Sequence, residues 1–491
     1  MHLFSHLPQS DILATTIAEI FSQRVQQKAT PGIRFALFDR SGTVLENGFG
    51  DVGAHPQRSH TRFRIASCTK SFTAAAMLLL RDRGRLSLDE PVTRYVPALR
   101  PTLPIGQPTA PTLRMLLSMA GGLPTDDPWA DRQESLSSAA FDAILDEGVR
   151  FATTPGTRYE YANLGYALLG RVIEVVGGQS YPAFVADNLL APLGLHETGF
   201  DPATVPVDRM ATGFRKIGDG WQPLPFTGPG AFSAIGGCVT TVGDLVRWAD
   251  WLSVAFRPEG ARDGPLSAAT RREMQSIQCA IAPEPGKDVG LKGYGYGLVV
   301  EQHARFGPII SHSGGYPGFS SHMRWNAQTG LGVVVFENAT YSGAWEPASA
   351  ALNQLLNAAF SAHVPAATPP AAIHELVAGL RRLLLDGWDD AVADAIFLEN
   401  VALDQPYAER AADLADLRAR AGAMDEGLMT VVPRDPGGTD SGFGRFEVHL
   451  PCAAGEIILK AFCGPPEPLK IQSVSFSLAG KHPLQTTLGS A

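Results

Sequence analysis

The sequence predicts an α+β protein with a smaller second domain, and three observations carry that expectation. Strand-type apolar runs occur at two separated places, residues 33–50 and 298–336. The stretch between them is dominated by helical periodicity and by Pro- and Gly-rich loops. A Pro/Ala segment at 364–371 then marks a change of texture. Two ends of one chain supplying one sheet, with a helical region between them, is an α+β arrangement.

Residues 11–27 place Ile12, Leu13, Ile17, Ile20, Phe21 and Val25 close to a helical period, which predicts an amphipathic first helix. Pro31-Gly32 stops it. Runs 33–38 and 43–50 surround Asp39-Arg40-Ser41-Gly42 and predict a hairpin. After a short extended run at 62–65, the Ala- and Leu-rich segment up to Leu80 predicts a helix whose mouth carries Ser67-Cys68-Thr69-Lys70. Residues 101–160 are rich in Pro, Thr, Gly and Asp, with helical patches at 113–117 and 137–147, and are expected to lie over the surface and frame a pocket. Helices are predicted at 164–176, closed by Gly177-Gly178, at 181–189 and at 241–252, with a glycine-rich loop at 228–237. Strands follow at 298–300, 306–311, 323–326 and 331–336, and a helix at 348–360. These make a first domain over 1–363. Beyond the linker, helices at 373–385, 388–395 and 407–421 and strands at 446–450, 456–462 and 471–478 predict a small α+β domain over 372–491.

At 491 residues the chain exceeds the roughly 100–200 of one domain. A net charge of −9 without a Lys/Arg cluster argues against nucleic-acid binding. The five cysteines are scattered with no C-x-x-C pair, so neither a zinc site nor a disulfide framework is expected. No cofactor or metal is implied. The N-terminus lacks a basic segment followed by an apolar run, and no stretch approaches the ~18 apolar residues of a membrane span. The expectation is a soluble cytoplasmic protein acting on a small molecule or short peptide, with self-association open.

Four segments bear on chemistry. Ser67 and Lys70 stand three apart, so on a helix they share a face. A serine hydroxyl needs a neighbouring base, and a lysine serves if burial lowers its pKa. Tyr161-Ala162-Asn163 precedes a helix and supplies a phenol and an amide with both donor and acceptor. His312-Ser313-Gly314-Gly315 follows a strand, where glycines let backbone N–H groups approach a ligand. The loop Leu117 to Pro124 is a possible border of the cleft. Each has an ordinary reading when taken alone: a solvated helix start, a buried tyrosine, a turn with a surface histidine, a plain turn.

S-x-x-K, then Y-x-N, then H-x-G, in that order, resembles the serine β-lactamase and penicillin-binding-protein superfamily. The likeness is greatest to its class C-like branch, with D-aminopeptidases, carboxylesterases and D,D-peptidases. Residues 62–67, 84–92, 155–166, 190–195 and 236–245 read like phrases of that family, so the resemblance covers roughly 10–360. It implies a β-lactamase/transpeptidase-like fold, an antiparallel sheet flanked by helices plus an all-helical region. It also implies acyl transfer through a serine ester. Ser67 would attack a carbonyl, and Lys70 and Tyr161 would share the proton transfers. Asn163 would orient Lys70 and substrate, and His312 would contact substrate or assist Tyr161. The N–H groups of Ser67 and Gly315, with Gly314 beside them, would hold the oxyanion.

Two positions depart from the family pattern. His312 stands where β-lactamases carry the lysine of K-T-G, which points toward esterase or D-peptidase chemistry. Met119 stands where the family often has a histidine. Esters and amides or peptides with a D-residue are therefore the expected substrates. A class C-type β-lactamase or D,D-carboxypeptidase, a peptide-cyclising or transacylating enzyme and an inactive penicillin-binding-like receptor remain as alternatives. An α/β-hydrolase elbow fails, because Gly318-Phe319-Ser320-Ser321-His322 lacks the last glycine of G-x-S-x-G. No H-E-x-x-H occurs. Cys68 would point about 100° away from Ser67 on a helix and is expected to pack in the core.

Overall fold

A computed structural model describes residues 7, 10–53, 56–104, 110–256, 264–282, 290–303, 305–361, 371–433 and 444–480. The chain forms two compact units, Met1–Ala362 and His363–Ala491. Of the expected linker, 364–370 lie outside the described residues and Ala371 opens a helix.

The first unit is built on a sheet whose strands come from both ends of its sequence. In chain order they are β1 (Gly32–Asp39), β2 (Gly42–Gly50), β3 (Cys279–Ala280), β4 (Leu291–Tyr294), β5 (Val299–His303), β6 (Gly307–Tyr316), β7 (Phe319–Asn326) and β8 (Gly332–Glu337). The order across the sheet is β2-β1-β8-β7-β6-β5-β4-β3, and every neighbouring pair is antiparallel. Every residue of β1 and β8 is buried, as both faces of a central strand require.

On one face lie α1 (Ser10–Gln26) and, from the end of the unit, a long helix at Trp345–Ser361. Ile17 and Phe21 join Ile33, Phe35, Val335, Leu352 and Leu355 in one cluster, with the Phe21 and Phe35 rings stacked at 3.9 Å. On the other face lie α2 (Lys70–Asp82), α3 (Asn163–Gly177) and α4 (Val242–Ser253), and the Trp345–Ser361 helix is α5. Phe72 of α2 stacks on Trp248 of α4 at 4.0 Å, in the cluster that holds Phe38, Phe336, Met323 and Trp325. The alternation of residues 33–38 between these clusters fixes the strand's register, since a one-residue slip would exchange its faces.

Several local expectations change. Ser67 lies in a 3₁₀ turn, Ala66–Thr69, and regular helix starts at Lys70. Ala66, the first residue of that turn, has a left-handed φ of +46°. Residues 186–190 widen into a π-helical turn, and Ser233–Gly236 forms a helical turn inside the glycine-rich loop. The hairpin of Gly213–Ile217 and Gly220–Leu224 was not expected, because its two short runs are mostly exposed and show no regular apolar alternation. His312 to Gly315 sit inside β6 rather than beyond it, with Ser313 opposite His322 of β7. On its other side β6 pairs with β5 only as far as Ser311, so residues 312–316 meet no strand there among the described residues.

The second unit carries α6 (Ala371–Asp386), α7 (Asp390–Ile396), α8 (Glu399–Asp404) and α9 (Tyr407–Ala421), followed by β9 (Thr430–Pro433), β10 (Arg445–Cys452), β11 (Gly455–Cys463) and β12 (Ile471–Gly480). These strands form an antiparallel sheet in sequence order. Ile457, Leu459 and Ala461 alternate with more exposed residues along β11, and they share a core with Leu380, Leu383, Leu414 and Leu417 of the helices. Among the described residues no helix is long and apolar enough to cross a membrane, and no group of His, Cys, Asp and Glu side chains is placed to hold a metal ion.

A tight crossing in the first unit brings β6 against the turn before Ser67. A Cβ on Gly314 would stand 2.2 Å from the Ile65 carbonyl oxygen and 2.3 Å from Ser321 Oγ. Ser321 Oγ donates to that same carbonyl at 2.7 Å, and the Cys68 thiol donates to the His312 carbonyl at 3.2 Å. Gly314→Ala must therefore separate strand and turn. We expect it to lower the unfolding free energy by about 1–3 kcal/mol, the range for overpacking. An unchanged urea midpoint would show that the crossing has slack.

Candidate active site

The left-handed Ala66 ends the short strand Phe63–Arg64 and turns Ser67 out at the mouth of α2. One turn on, Lys70 is fully buried. Its Nζ donates to Ser67 Oγ at 2.9 Å and to the Ile235 carbonyl at 2.9 Å. Burial pulls the Lys70 pKa down from the ordinary lysine value to about 8, against the opposing fields of Asp131, Asp127 and Asp126. The ammonium lies 5.0 Å from the centre of the Tyr161 ring and 5.8 Å from that of Tyr166.

Tyr161, from the segment before α3, lines the same cavity as the serine. Burial drives its pKa well above the ordinary phenol value, the Ser67 side chain draws it down, and the charges of Asp127 and Asp131 push the same way as burial. The phenol therefore keeps its proton in the resting site. The Leu117–Pro124 loop backs this segment: the Glu160 N–H donates to the Met119 carbonyl at 2.8 Å. Met119 itself is buried in a left-handed conformation.

Asn163 opens α3, and its side chain bonds to Asp127 rather than to Lys70. Its Nδ2 donates to Asp127 Oδ1 at 2.5 Å, while its Oδ1 is buried without a hydrogen-bond partner. Lys70 spends its bonds on Ser67 and Ile235 instead. Asp126 accepts the N–H groups of Asn163 and Leu164 at 2.7 and 2.8 Å, and so satisfies orphan donors at the start of α3.

His312 is buried, and both of its ring nitrogens are engaged. Nδ1 faces the Ser313 carbonyl oxygen at 2.7 Å and must be the donor there. Nε2, 2.9 Å from the Tyr294 hydroxyl, is then the acceptor. Burial and the Lys70 charge hold the ring pKa down at about 3, so the imidazole is neutral. Next to it, Ser313 Oγ lies 2.9 Å from Nδ1 of the buried His322.

Ser67, Tyr161, His312, Ser313 and Gly315 together line a cavity of about 250 Å³. Gly315 faces it, whereas Gly314 fills the crossing behind. The remaining walls are Asp127, Asp131, Val299 and Tyr341. The Tyr341 hydroxyl donates to Asp131 Oδ2 at 2.6 Å. Burial raises the Asp131 pKa to about 6. No Lys or Arg is among these lining residues, and two carboxylates are.

Sequence reasoning missed Asp126, Asp127, Asp131, Tyr294 and Tyr341. The only signal for the acidic group was the string Asp126-Asp127-Pro128-Trp129-Ala130-Asp131, within a segment read merely as surface loop.

Known proteins are similar to this chain over most of the first unit. The chain is 26% identical over 335 residues to Protein flp of Staphylococcus aureus, a match spanning 66% of this chain and 62% of that protein. The octameric penicillin-binding protein homologue from Pyrococcus abyssi superposes with a TM-score of 0.61 at 22% identity, covering 94% of this chain and 93% of that one. The D-amino acid amidase from Ochrobactrum anthropi SV3 superposes with a TM-score of 0.57 at 26% identity, covering 70% and 99%. The β-lactamase family profile matches residues 17–357, more than half of the sequence and the whole of the sheet around Ser67. The chain belongs to the β-lactamase family.

Proposed function

We propose that this protein is a serine hydrolase that forms an acyl-enzyme on Ser67, acting on esters and on amide or peptide bonds, D-amino-acid substrates included. The observation that carries this reading is the buried Lys70 amine, 2.9 Å from Ser67 Oγ with a pKa of about 8. At pH 7 about one molecule in ten then holds it neutral and able to take a proton.

In this reading Ser67 Oγ attacks the substrate carbonyl while its proton passes to Lys70. The N–H groups of Ser67 and Gly315 hold the oxyanion, and each such donor is typically worth about 100–1000-fold in rate. Tyr161, protonated at rest, hands its proton to the departing alcohol or amine and is reprotonated with the proton that Lys70 took from Ser67. Water then attacks the ester by the same route in reverse. His312 moves no proton. With its nitrogens committed to Ser313 and Tyr294, it braces the wall beside Gly315. Asn163 holds Asp127 in place.

The charge of the cavity bears on substrate choice. Two carboxylates and no cationic lining residue disfavour the carboxylate of a β-lactam and favour an amino group on the acyl side. His312 in place of a lysine acts in the same direction. The D-amino acid amidase likeness agrees with this preference.

A fluorophosphonate probe is expected to label the wild type and not Ser67→Ala. With nitrophenyl esters, D-alanyl amides and nitrocefin tested side by side, the esters and amides should turn over and nitrocefin should lag. Failure to label folded wild-type protein would favour an inactive receptor, and nitrocefin turnover above the ester rate would favour a β-lactamase.

The pH dependence follows from Lys70. Because its neutral form is the base, kcat/KM should rise with pH to a half-maximum near 8. The field of Asp131 raises the Lys70 pKa, so Asp131→Asn should move that midpoint to lower pH. A midpoint that stays or moves up would contradict the assignment of Lys70 as the base.

A further inference from the structure

The mechanism above leaves unused a buried carboxylate, Glu134, only 2% exposed. Its Oε2 accepts three hydrogen bonds: from the Arg64 guanidinium, from the Tyr316 hydroxyl at 2.6 Å and from the Thr227 hydroxyl at 3.0 Å. Arg64 Nη2 also donates to the Thr227 carbonyl at 3.0 Å, and its guanidinium carbon lies 4.8 Å from the Tyr316 ring centre.

The sequence positions of these partners matter more than their number. Arg64 stands three residues before Ser67, and Tyr316 directly follows Gly315. The two segments therefore carry the two N–H groups that the proposed function aims at the oxyanion. A third segment meets the same residue. A Cβ on Gly237 would lie 2.6 Å from Glu134 Oε1, and one on Gly230 would lie 2.4 Å from the Glu134 carbonyl oxygen. Between these glycines stands Ile235, whose carbonyl holds Lys70. One carboxylate thus touches the strand before the nucleophile, the loop that anchors the base and the strand of the second oxyanion donor.

The geometry points to Glu134 as a positioning residue that sets the spacing between Ser67 and Gly315 while locating Lys70. This rests on the acyl-enzyme reading above. The alternative is a core ion pair that contributes only to folding. The two differ in consequence, because a displacement of about 1 Å in reacting groups can cost on the order of 100-fold in rate. Loss of stability alone changes only how many molecules are folded.

Full-length protein carrying Glu134→Gln or Tyr316→Phe tests this. The second change removes one hydroxyl donor and leaves the Arg64–Glu134 pair intact, so it decides the matter if the first variant fails to fold. Fluorophosphonate titration counts competent serines, and p-nitrophenyl acetate hydrolysis then gives kcat per titrated site. We expect kcat per site to fall about 10–100-fold for Glu134→Gln and by a smaller factor, at least threefold, for Tyr316→Phe. KM should change less than threefold in both. Wild-type kcat per titrated site in either folded variant, with only the yield of folded protein reduced, would overturn the proposal. If the wild type itself neither labels nor hydrolyses ester, both this inference and the function beneath it fail. An active wild type with indifferent variants rejects Glu134 alone.

Discussion

The structure depends on placing a lysine amine in the core, directly beneath a serine. Taking an ammonium out of water costs several kcal/mol, and the surroundings offset this only in part. Ser67 and the Ile235 carbonyl accept its protons, the rings of Tyr161 and Tyr166 face it, and Asp126, Asp127 and Asp131 contribute their fields. None of the three carboxylates is tied to Lys70 as an ion pair. Asp126 is committed to the N–H groups that start α3, Asp127 to Asn163 and Asp131 to Tyr341. Burial therefore wins, and the amine titrates near 8 rather than above 10. A direct salt bridge would reverse that balance.

The same division of labour explains the wall opposite. In β-lactamases carrying K-T-G a lysine occupies the position of His312, and here a neutral imidazole takes its place. With the Ser313 carbonyl on one nitrogen and the Tyr294 hydroxyl on the other, the ring adds neither charge nor a free base. What remains facing the cavity is the pair of carboxylates Asp127 and Asp131, beside the Ser67 that Lys70 holds.

Legibility in the sequence followed physical range. The apolar runs of β1 and β8 and the period of α1 announced the central sheet and its covering helix, because burial on fixed faces leaves a periodic record. Ser67, Lys70, Tyr161 and His312 were readable as residue types in a known order. Their partners were not. Asp131, Tyr294 and Glu134 come from segments remote from Ser67 in sequence, and only the folded chain brings them near. The left-handed turn at Ala66 was hidden for a different reason, since alanine gives no hint of positive φ and Gly314, which packs against that turn, is remote in sequence. The expected bond from Asn163 to Lys70 assumed that nothing else would claim the amide, and Asp127 does.

The account turns on the protonation of one amine, and that can be read directly. Nuclear magnetic resonance of protein labelled with ¹³C- and ¹⁵N-lysine, with the Lys70 signal assigned by its loss in Lys70→Arg, follows this group through its titration. The account predicts a midpoint near pH 8. A midpoint at or above the ordinary lysine value of about 10.4 would contradict it.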